Sequence, residues 1–172
     1  LSIAAVHEIL SQEGFRFVDV KDVAERIAQL TAQNMIDPDR RIGIHVTGEA
    51  IVLPSKPATS LALVINELLQ NALEATPENG RVTLRAFEAS GHAIIEITDT
   101  GSGMDDEFVR ARLFQPFDST KGAGMGIGAY ECRETIRALG GQMEVESTPG
   151  SGTRFRISLP LDNNPAYVEV SA

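Results

Sequence analysis

The sequence predicts an α+β domain in which helices pack on one face of a sheet, as a two-layer α/β sandwich. Alternating apolar residues flank turn residues twice, which predicts one β-hairpin of strands 81–87 and 93–98 and another of strands 142–146 and 153–159. Apolar residues at helical spacing predict helices before and between these hairpins. Strands grouped in this way, with helices between the groups, favour the two-layer arrangement.

Start and stop signals divide the rest of the chain into elements. Asp19 suits a helix N-cap, Pro57 suits a first helical turn, and Pro77 ends the helix that precedes it. The other predicted elements are a helix over 1–13, a helix over 20–33, strands over 41–46 and 51–53, a helix through 61–75, a short helix over 105–113, and a helix from Gly128 to about Leu139.

Composition and charge exclude several classes of function. The 172 residues are 42% hydrophobic, which fits one globular domain, and the net charge of −9 argues against a general affinity for nucleic acid. No apolar run approaches the roughly 18 residues of a membrane span, and we expect no signal peptide. A chain beginning at Leu1 suggests a piece of something longer. Cys132 is the single cysteine, which fits a reducing cytoplasm and predicts a core residue.

The segment LALVINELLQNALEA, residues 61–75, has an unusual polar stripe. Glu67, Gln70, Asn71 and Glu74 fall within an arc of roughly 100°, opposite an apolar face. A solvated helix face normally includes Lys or Arg, and Asn gives up roughly 0.7 kcal/mol of helix propensity relative to Ala. The stripe therefore predicts either a functional surface or an ordinary amphipathic helix.

Three glycine-rich stretches, residues 99–104, 122–128 and 150–153, could bring the backbone close to a ligand. Each is also compatible with a purely structural turn. The second contains G-x-G-x-G after a loop, rather than the G-x-G-x-x-G after a strand of dinucleotide sites, and no P-loop pattern is present. Dinucleotide and P-loop functions are therefore disfavoured.

The order of five motifs is more specific than any one of them. An N-E-L-L-Q-N-A helix is followed by D-x-G-x-G-M, by LFQPFDSTK, by G-x-G-M-G-I-G and by P-G-x-G-T-x-F. This series, over about residues 40–160, resembles the catalytic ATP-binding domain of bacterial two-component sensor histidine kinases, in the Bergerat (GHKL) ATPase superfamily. The resemblance implies a mixed, mostly antiparallel sheet with helices on one face. It also implies that 1–16 end a dimerisation helix and junction, 17–161 form the ATP-binding domain, and 162–172 form a tail.

The resemblance gives the polar stripe its roles. Asn71 matches the asparagine that ligates Mg²⁺, and an amide oxygen is a suitable ligand for that hard ion. Glu67, one turn earlier, matches the position of the catalytic glutamate of gyrase-type enzymes, where it would take a proton or orient the attacking group. Glu74 departs from the family, because many such kinases carry a lysine there.

The adenine-binding residues are also carried over. Asp99 matches the aspartate that accepts a hydrogen bond from the exocyclic amine of adenine. Gly101 and Gly103 would let the backbone reach the base, and Thr153 matches a threonine near adenine. Met104 would line the pocket, although plain core filling explains it equally well.

The remaining motif residues match the lid and the phosphate contacts. Phe114 and Phe117 match the phenylalanine pair that anchors the lid over the nucleotide, and Thr120 and Lys121 would meet phosphate oxygens. A solvated loop lysine is the alternative for Lys121. The glycine-rich segment would present N–H groups to the phosphates at the start of a helix. Its implied nucleotide-binding residues are Gly122, Gly124, Met125, Gly126, Ile127 and Gly128.

The resemblance implies that the γ-phosphate of Mg-ATP passes to a histidine of the dimerisation domain and then to a response regulator aspartate. It also implies a homodimer at full length and a bacterial cytoplasmic location, alone or as the cytoplasmic part of a membrane-bound sensor. His7 matches the second dimerisation helix better than a phosphoacceptor, so the acceptor helix is expected outside this chain. Alternatives are another ATPase or a protein serine kinase of the superfamily, or a nucleotide-binding module without catalysis.

Overall fold

The structure, a computed structural model, describes residues 17–35, 41–115 and 125–161. The predicted helix over 1–13, the predicted domain boundary after residue 16 and the tail from 162 onward lie at or beyond its limits. The strands are β1 (Phe17–Asp19), β2 (Gly43–Gly48), β3 (Val52–Pro54), β4 (Arg81–Ala89), β5 (His92–Asp99), β6 (Gln142–Thr148) and β7 (Gly152–Pro160). The helices are α1 (Val20–Met35), α2 (Ser55–Ala75), α3 (Asp106–Ala111) and α4 (Met125–Ala138).

Five strands form one sheet in the order β2-β4-β5-β7-β6, and β1 pairs with β3 apart from it. Strands β2 and β4 are parallel, and all other neighbours are antiparallel. Ser90 and Gly91 join β4 to β5 with φ of 51° and 72°, the positive values that a two-residue hairpin turn requires. The predicted α+β class and mixed, mostly antiparallel sheet are confirmed.

The core lies between the sheet and helices α1, α2 and α4. Alternate residues of the central strands, such as Leu84, Ile95 and Ile157, are fully buried, and the intervening positions are more exposed. Helix α2 contributes the apolar stripe predicted for it. Its fully buried large side chains are Leu61, Ile65, Leu68, Leu69 and Leu73.

Two local features differ from the sequence prediction. Strand β1 was not predicted, because its three residues form a strand by pairing with the distant segment β3. Its last residue, Asp19, accepts hydrogen bonds from Lys21 N (2.9 Å) and Ile51 N (3.2 Å), so the predicted cap also ties α1 to the β3 segment. The start of α4 at Gly128 was wrong: the helix begins at Met125, and packing against α2 outweighs the low helix propensity of its glycines.

Candidate functional site

Helix α2 brings Glu67 and Asn71 together on its polar stripe. The two residues are one turn apart, and their side chains are hydrogen-bonded to each other. Burial raises the pKa of Glu67, the nearby carboxylates of Glu74 and Glu131 raise it further, and the bond from Asn71 opposes this. We call these four residues (Glu67, Asn71, Glu74 and Glu131) the acidic face.

Helix α4 contributes Glu131 to the acidic face and packs against α2 beside Glu67. A Cβ placed on Gly128 would overlap the Glu67 carboxylate, so a glycine lets α4 approach that side chain. One turn later, Cys132 is buried, and burial together with Glu67 and Glu131 raises its pKa to about 12. The prediction that Cys132 is a core residue rather than a nucleophile is confirmed.

The other part of the site lies where β5 ends at Asp99. This carboxylate is 5% exposed, and its Oδ1 accepts hydrogen bonds from Gly101 N (2.8 Å) and Thr153 N (3.3 Å). Burial raises the pKa of Asp99, and the two backbone hydrogen bonds oppose that rise. Strands β5 and β7 are neighbours, so the sheet itself places Asp99 beside Thr153.

Three glycines allow the backbone to close around Asp99. A Cβ on Gly101 would lie 2.6 Å from the carbonyl oxygen of Ala75 and 2.7 Å from Asp99 Oδ1. Gly103 has a φ of +65° and Gly152 a φ of +101°, and a Cβ at either would overlap a backbone carbonyl. Gly101 and Gly103 thus lie against the protein's own backbone at Ala75 and Thr148, and their approach to a base stays a prediction.

Sequence reasoning missed Ser147, which connects the segments around Asp99. Its Oγ accepts a hydrogen bond from Met104 N (2.8 Å) and lies 2.8 Å from Thr153 Oγ1 and 3.1 Å from Gly152 O. The alternation along β6 could have identified it, because Ser147 continues the less exposed positions Met143 and Val145 and is the polar residue among them. We call Asp99, Gly101, Ser147, Gly152 and Thr153 the base-side pocket, after the adenine base that the resemblance assigns to Asp99.

The end of α2 joins the acidic face to the base-side pocket. The carbonyl oxygen of Ala75, one turn after Asn71, accepts a hydrogen bond from Ser102 N (3.2 Å) in the loop after β5. This hydrogen bond links the loop that follows Asp99 to the end of the helix that bears Asn71. The Asp99 carboxylate can accept a hydrogen bond from an amine at one end of a ligand. The Asn71 amide and the Glu67 carboxylate suit a metal ion bound to an anion at the other end.

The described residues include only part of the predicted lid and phosphate-binding segment. The predicted site residues outside the described residues are Phe117, Thr120, Lys121, Gly122 and Gly124, whereas Met125, Gly126 and Ile127 form the first turn of α4. Met104 is partly buried and packs against the core, which fits both of its interpretations. Phe114, the other predicted lid anchor, lies under the guanidinium of Arg133, 4.4 Å from its ring centroid.

Comparisons with known proteins place the motifs in context. Residues 57–163 match the family described as histidine kinase-, DNA gyrase B- and HSP90-like ATPases. Sporulation kinase C of Bacillus subtilis is 34% identical over 104 residues, covering 60% of this chain and 24% of that protein. Sensor protein DivL of Caulobacter vibrioides is 30% identical over 156 residues, covering 88% of this chain and 20% of that protein.

A solved structure gives the same fold. Full-length ShkA in complex with AMPPNP superimposes with a TM-score of 0.70 and 26% identity, over 83% of this chain and 30% of that one. The chain thus spans less than a third of ShkA and a quarter or less of the two curated relatives. Among the described residues, no helix combines the length and the apolar character needed to cross a membrane.

Proposed function

Because the chain belongs to the family of histidine kinase-, DNA gyrase B- and HSP90-like ATPases, we propose that it is the catalytic domain of a sensor histidine kinase that uses Mg-ATP. In this proposal, it donates the γ-phosphate to a histidine on a dimerisation domain, and a response regulator aspartate receives it next. The match to 88% of this chain in a sensor protein supports the assignment. A homodimeric full-length protein acting in the bacterial cytoplasm follows from the same reasoning.

Recognition of the base is assigned to Asp99. Its buried carboxylate is an acceptor when ionised, so it binds the exocyclic amine of adenine and repels the carbonyl that guanine carries at that position. A glycine at 101 lets the backbone lie close enough to Asp99 for its N–H to bond the carboxylate. This buried carboxylate at the end of β5, tied through Ala75 to the helix that bears Asn71, is the observation that carries the proposal.

The acidic face is assigned to the metal and to the reaction. The Asn71 amide and the adjacent Glu67 carboxylate offer oxygens of the kind that Mg²⁺ accepts. Among the described residues no three His, Cys, Asp or Glu side chains form a metal site by themselves, so in this proposal the phosphates supply further ligands. The bound ion would neutralise phosphate charge. Glu67 is assigned as the base that orients the attacking group and accepts its proton, because a raised pKa brings a carboxylate closer to the operating pH.

Calorimetry with this chain tests the nucleotide assignment. We expect ATP to bind more tightly with Mg²⁺ than without it, and GTP to bind at least about tenfold more weakly, because one hydrogen bond to a charged group is lost. Equal affinity for the two nucleotides would contradict the role of Asp99. A transfer assay on a longer protein that includes the dimerisation domain should give acid-labile phosphate. Acid-stable phosphate would indicate a serine kinase, and binding without transfer would indicate a non-catalytic module.

A further inference from the structure

Ser147, in β6, connects two other segments that lie next to Asp99 in the chain or in the sheet. Its hydroxyl oxygen accepts the Met104 N–H, from the loop after β5, at 2.8 Å. It also contacts the carbonyl oxygen of Gly152 at 3.1 Å and the hydroxyl of Thr153 at 2.8 Å, both at the start of β7. The side chain is partly buried, so these contacts are shielded from competing water.

The proton count at Ser147 fixes the direction of the bond to Thr153. A serine hydroxyl has one proton and two lone pairs. The carbonyl of Gly152 can only accept, so it takes the Ser147 proton, and the lone pairs remain for the Met104 N–H and the Thr153 hydroxyl. Thr153 must therefore donate its proton to Ser147, and its own oxygen is left as an acceptor.

This polarity matters because Thr153 adjoins Asp99. The Thr153 backbone N–H donates to Asp99 Oδ1, and its side chain is 7% exposed. With the Thr153 proton directed at Ser147, the pocket presents two acceptors, a carboxylate and a hydroxyl oxygen. Such a pair suits a ligand edge that carries hydrogen-bond donors, either on the base or on a water held against it.

We propose that Ser147 is a positioning residue for nucleotide binding, which orients the Thr153 hydroxyl and fixes the Met104 backbone against the base. This inference rests on the proposed function, because it assigns Ser147 to the base end of the same ATP site. Two of its partners adjoin Asp99: the Thr153 N–H bonds its carboxylate, and a Cβ on Gly152 would overlap its carbonyl, while Met104 lies in the loop that follows Asp99. The role is therefore confined to the base end of the nucleotide and does not extend to the phosphates.

Calorimetry of Ser147→Ala with AMP, ADP and ATP provides the test. We expect affinity for all three to fall by the same factor, about tenfold, because the loss of one hydrogen-bonding group acts on the base that they share. Ser158→Ala is the matched control, because Ser158 is also partly buried but lies in β7 among the residues that alternate with the buried ones. It should leave all three affinities within about twofold.

A double-mutant cycle separates positioning from simple loss of stability. If Ser147 acts largely through Thr153, Ser147→Ala should weaken AMP binding much less in a Thr153→Val background than in the wild type. Melting temperatures are recorded for each variant. If Ser147→Ala melts below the titration temperature, Ser147→Cys keeps the volume, weakens the hydrogen bonds and should reduce all three affinities equally.

Several results would overturn the inference. These are unchanged affinity for AMP in Ser147→Ala, a loss confined to ADP and ATP, or fully additive effects of the Ser147 and Thr153 substitutions. If the wild-type protein and Ser147→Ala bind ATP equally well, the role of Ser147 is wrong and the proposed function is unaffected. Wild-type protein that binds no adenine nucleotide defeats both.

Discussion

The base-side pocket and the acidic face differ in how far the chain itself satisfies their polar groups. In the pocket, Asp99 and Ser147 are held by hydrogen bonds from three backbone N–H groups, those of Gly101, Met104 and Thr153. On the acidic face, Glu67 has one side-chain hydrogen bond, from Asn71, and two carboxylate neighbours that disfavour its charge. The pocket is therefore preorganised, whereas the acidic face is arranged to gain from an incoming cation.

Removal of the proposed metal ligand should give the largest effect. We expect Asn71→Ala to lower phosphoryl transfer by at least about 100-fold, because substitutions in the second shell of metal sites already cost 10- to 100-fold. The measurement is transfer in the longer protein together with Mg²⁺-dependent ATP affinity in this chain. Gln70→Ala is the control, since Gln70 bonds to Asn66 instead (3.1 Å). Unchanged phosphoryl transfer in Asn71→Ala would show that Asn71 is not a ligand of the metal ion.

Asp99→Asn should give the second largest effect and act on the other region. The amide keeps an oxygen for the N–H groups of Gly101 and Thr153 but removes the charge, so we expect ATP affinity to fall about 10- to 100-fold. Asp106→Asn, at the exposed start of α3, is the control and should change affinity by less than about threefold. Calorimetry at neutral pH measures both. An Asp99→Asn protein that binds ATP normally would show that the pocket does not recognise the base through this carboxylate.

Two glycine substitutions compare the regions directly. Gly101→Ala places a Cβ against backbone at Ala75, so we expect a loss of about 1–3 kcal/mol in the free energy of unfolding. The nearest atoms that Gly128→Ala meets belong to the Glu67 side chain, which can move, and the substitution gains up to about 1 kcal/mol of helix propensity. It should therefore fold normally, bind ATP and transfer phosphate more slowly, because Glu67 is displaced. Denaturant unfolding measures the stability of both variants, and transfer assays measure their activity. Equal destabilisation by Gly101→Ala and Gly128→Ala would refute the contrast between a rigid pocket and an adjustable acidic face.

Arg133→Lys should have a smaller effect on the segment beyond α3. The guanidinium of Arg133 lies 4.4 Å from the centroid of the Phe114 ring and donates to the Phe114 carbonyl oxygen at 3.3 Å. Lysine keeps the charge and loses the planar stacking, so we expect about 1 kcal/mol less stability by denaturant unfolding. Arg137→Lys, in an exposed pair with Glu134, should cost less than about 0.5 kcal/mol. If the two substitutions cost the same, the Phe114 contact adds nothing to the anchoring of this segment on α4.

The sequence predicted the parts of the site that depend on spacing along the chain. Glu67 and Asn71 share a helical stripe, Asp99 ends a clearly alternating strand, and the match to the ATPase family confirms the resemblance drawn from the five motifs. It could not predict contacts between distant segments. Ser147 is 43 residues from Met104, and the partner of Gly128 is a side chain on another helix. The roles of individual site residues and the domain boundaries stay predictions.

The smallest expected effect is the pH dependence of the free energy of unfolding, to which Asp99 and Glu67 each contribute. A carboxyl group whose pKa is raised by folding binds its proton more tightly in the folded state. The free energy of unfolding therefore falls as pH rises from the ordinary pKa, about 3.9 for Asp and 4.3 for Glu, through the raised one. Asp99→Asn and Glu67→Gln should each abolish one such contribution, measured by denaturant unfolding without Mg²⁺.

Salt should change only one of these two contributions. The rise in the pKa of Glu67 includes repulsion from Glu74 and Glu131, and the half-buried site lets ions screen that repulsion at about 1 M salt, where the screening length is about 3 Å. The pKa of Asp99 reflects burial and two backbone hydrogen bonds, which salt does not screen. The contribution removed by Glu67→Gln should therefore shrink in high salt, and the one removed by Asp99→Asn should not. Equal sensitivity to salt would mean that carboxylate repulsion does not distinguish the acidic face from the base-side pocket.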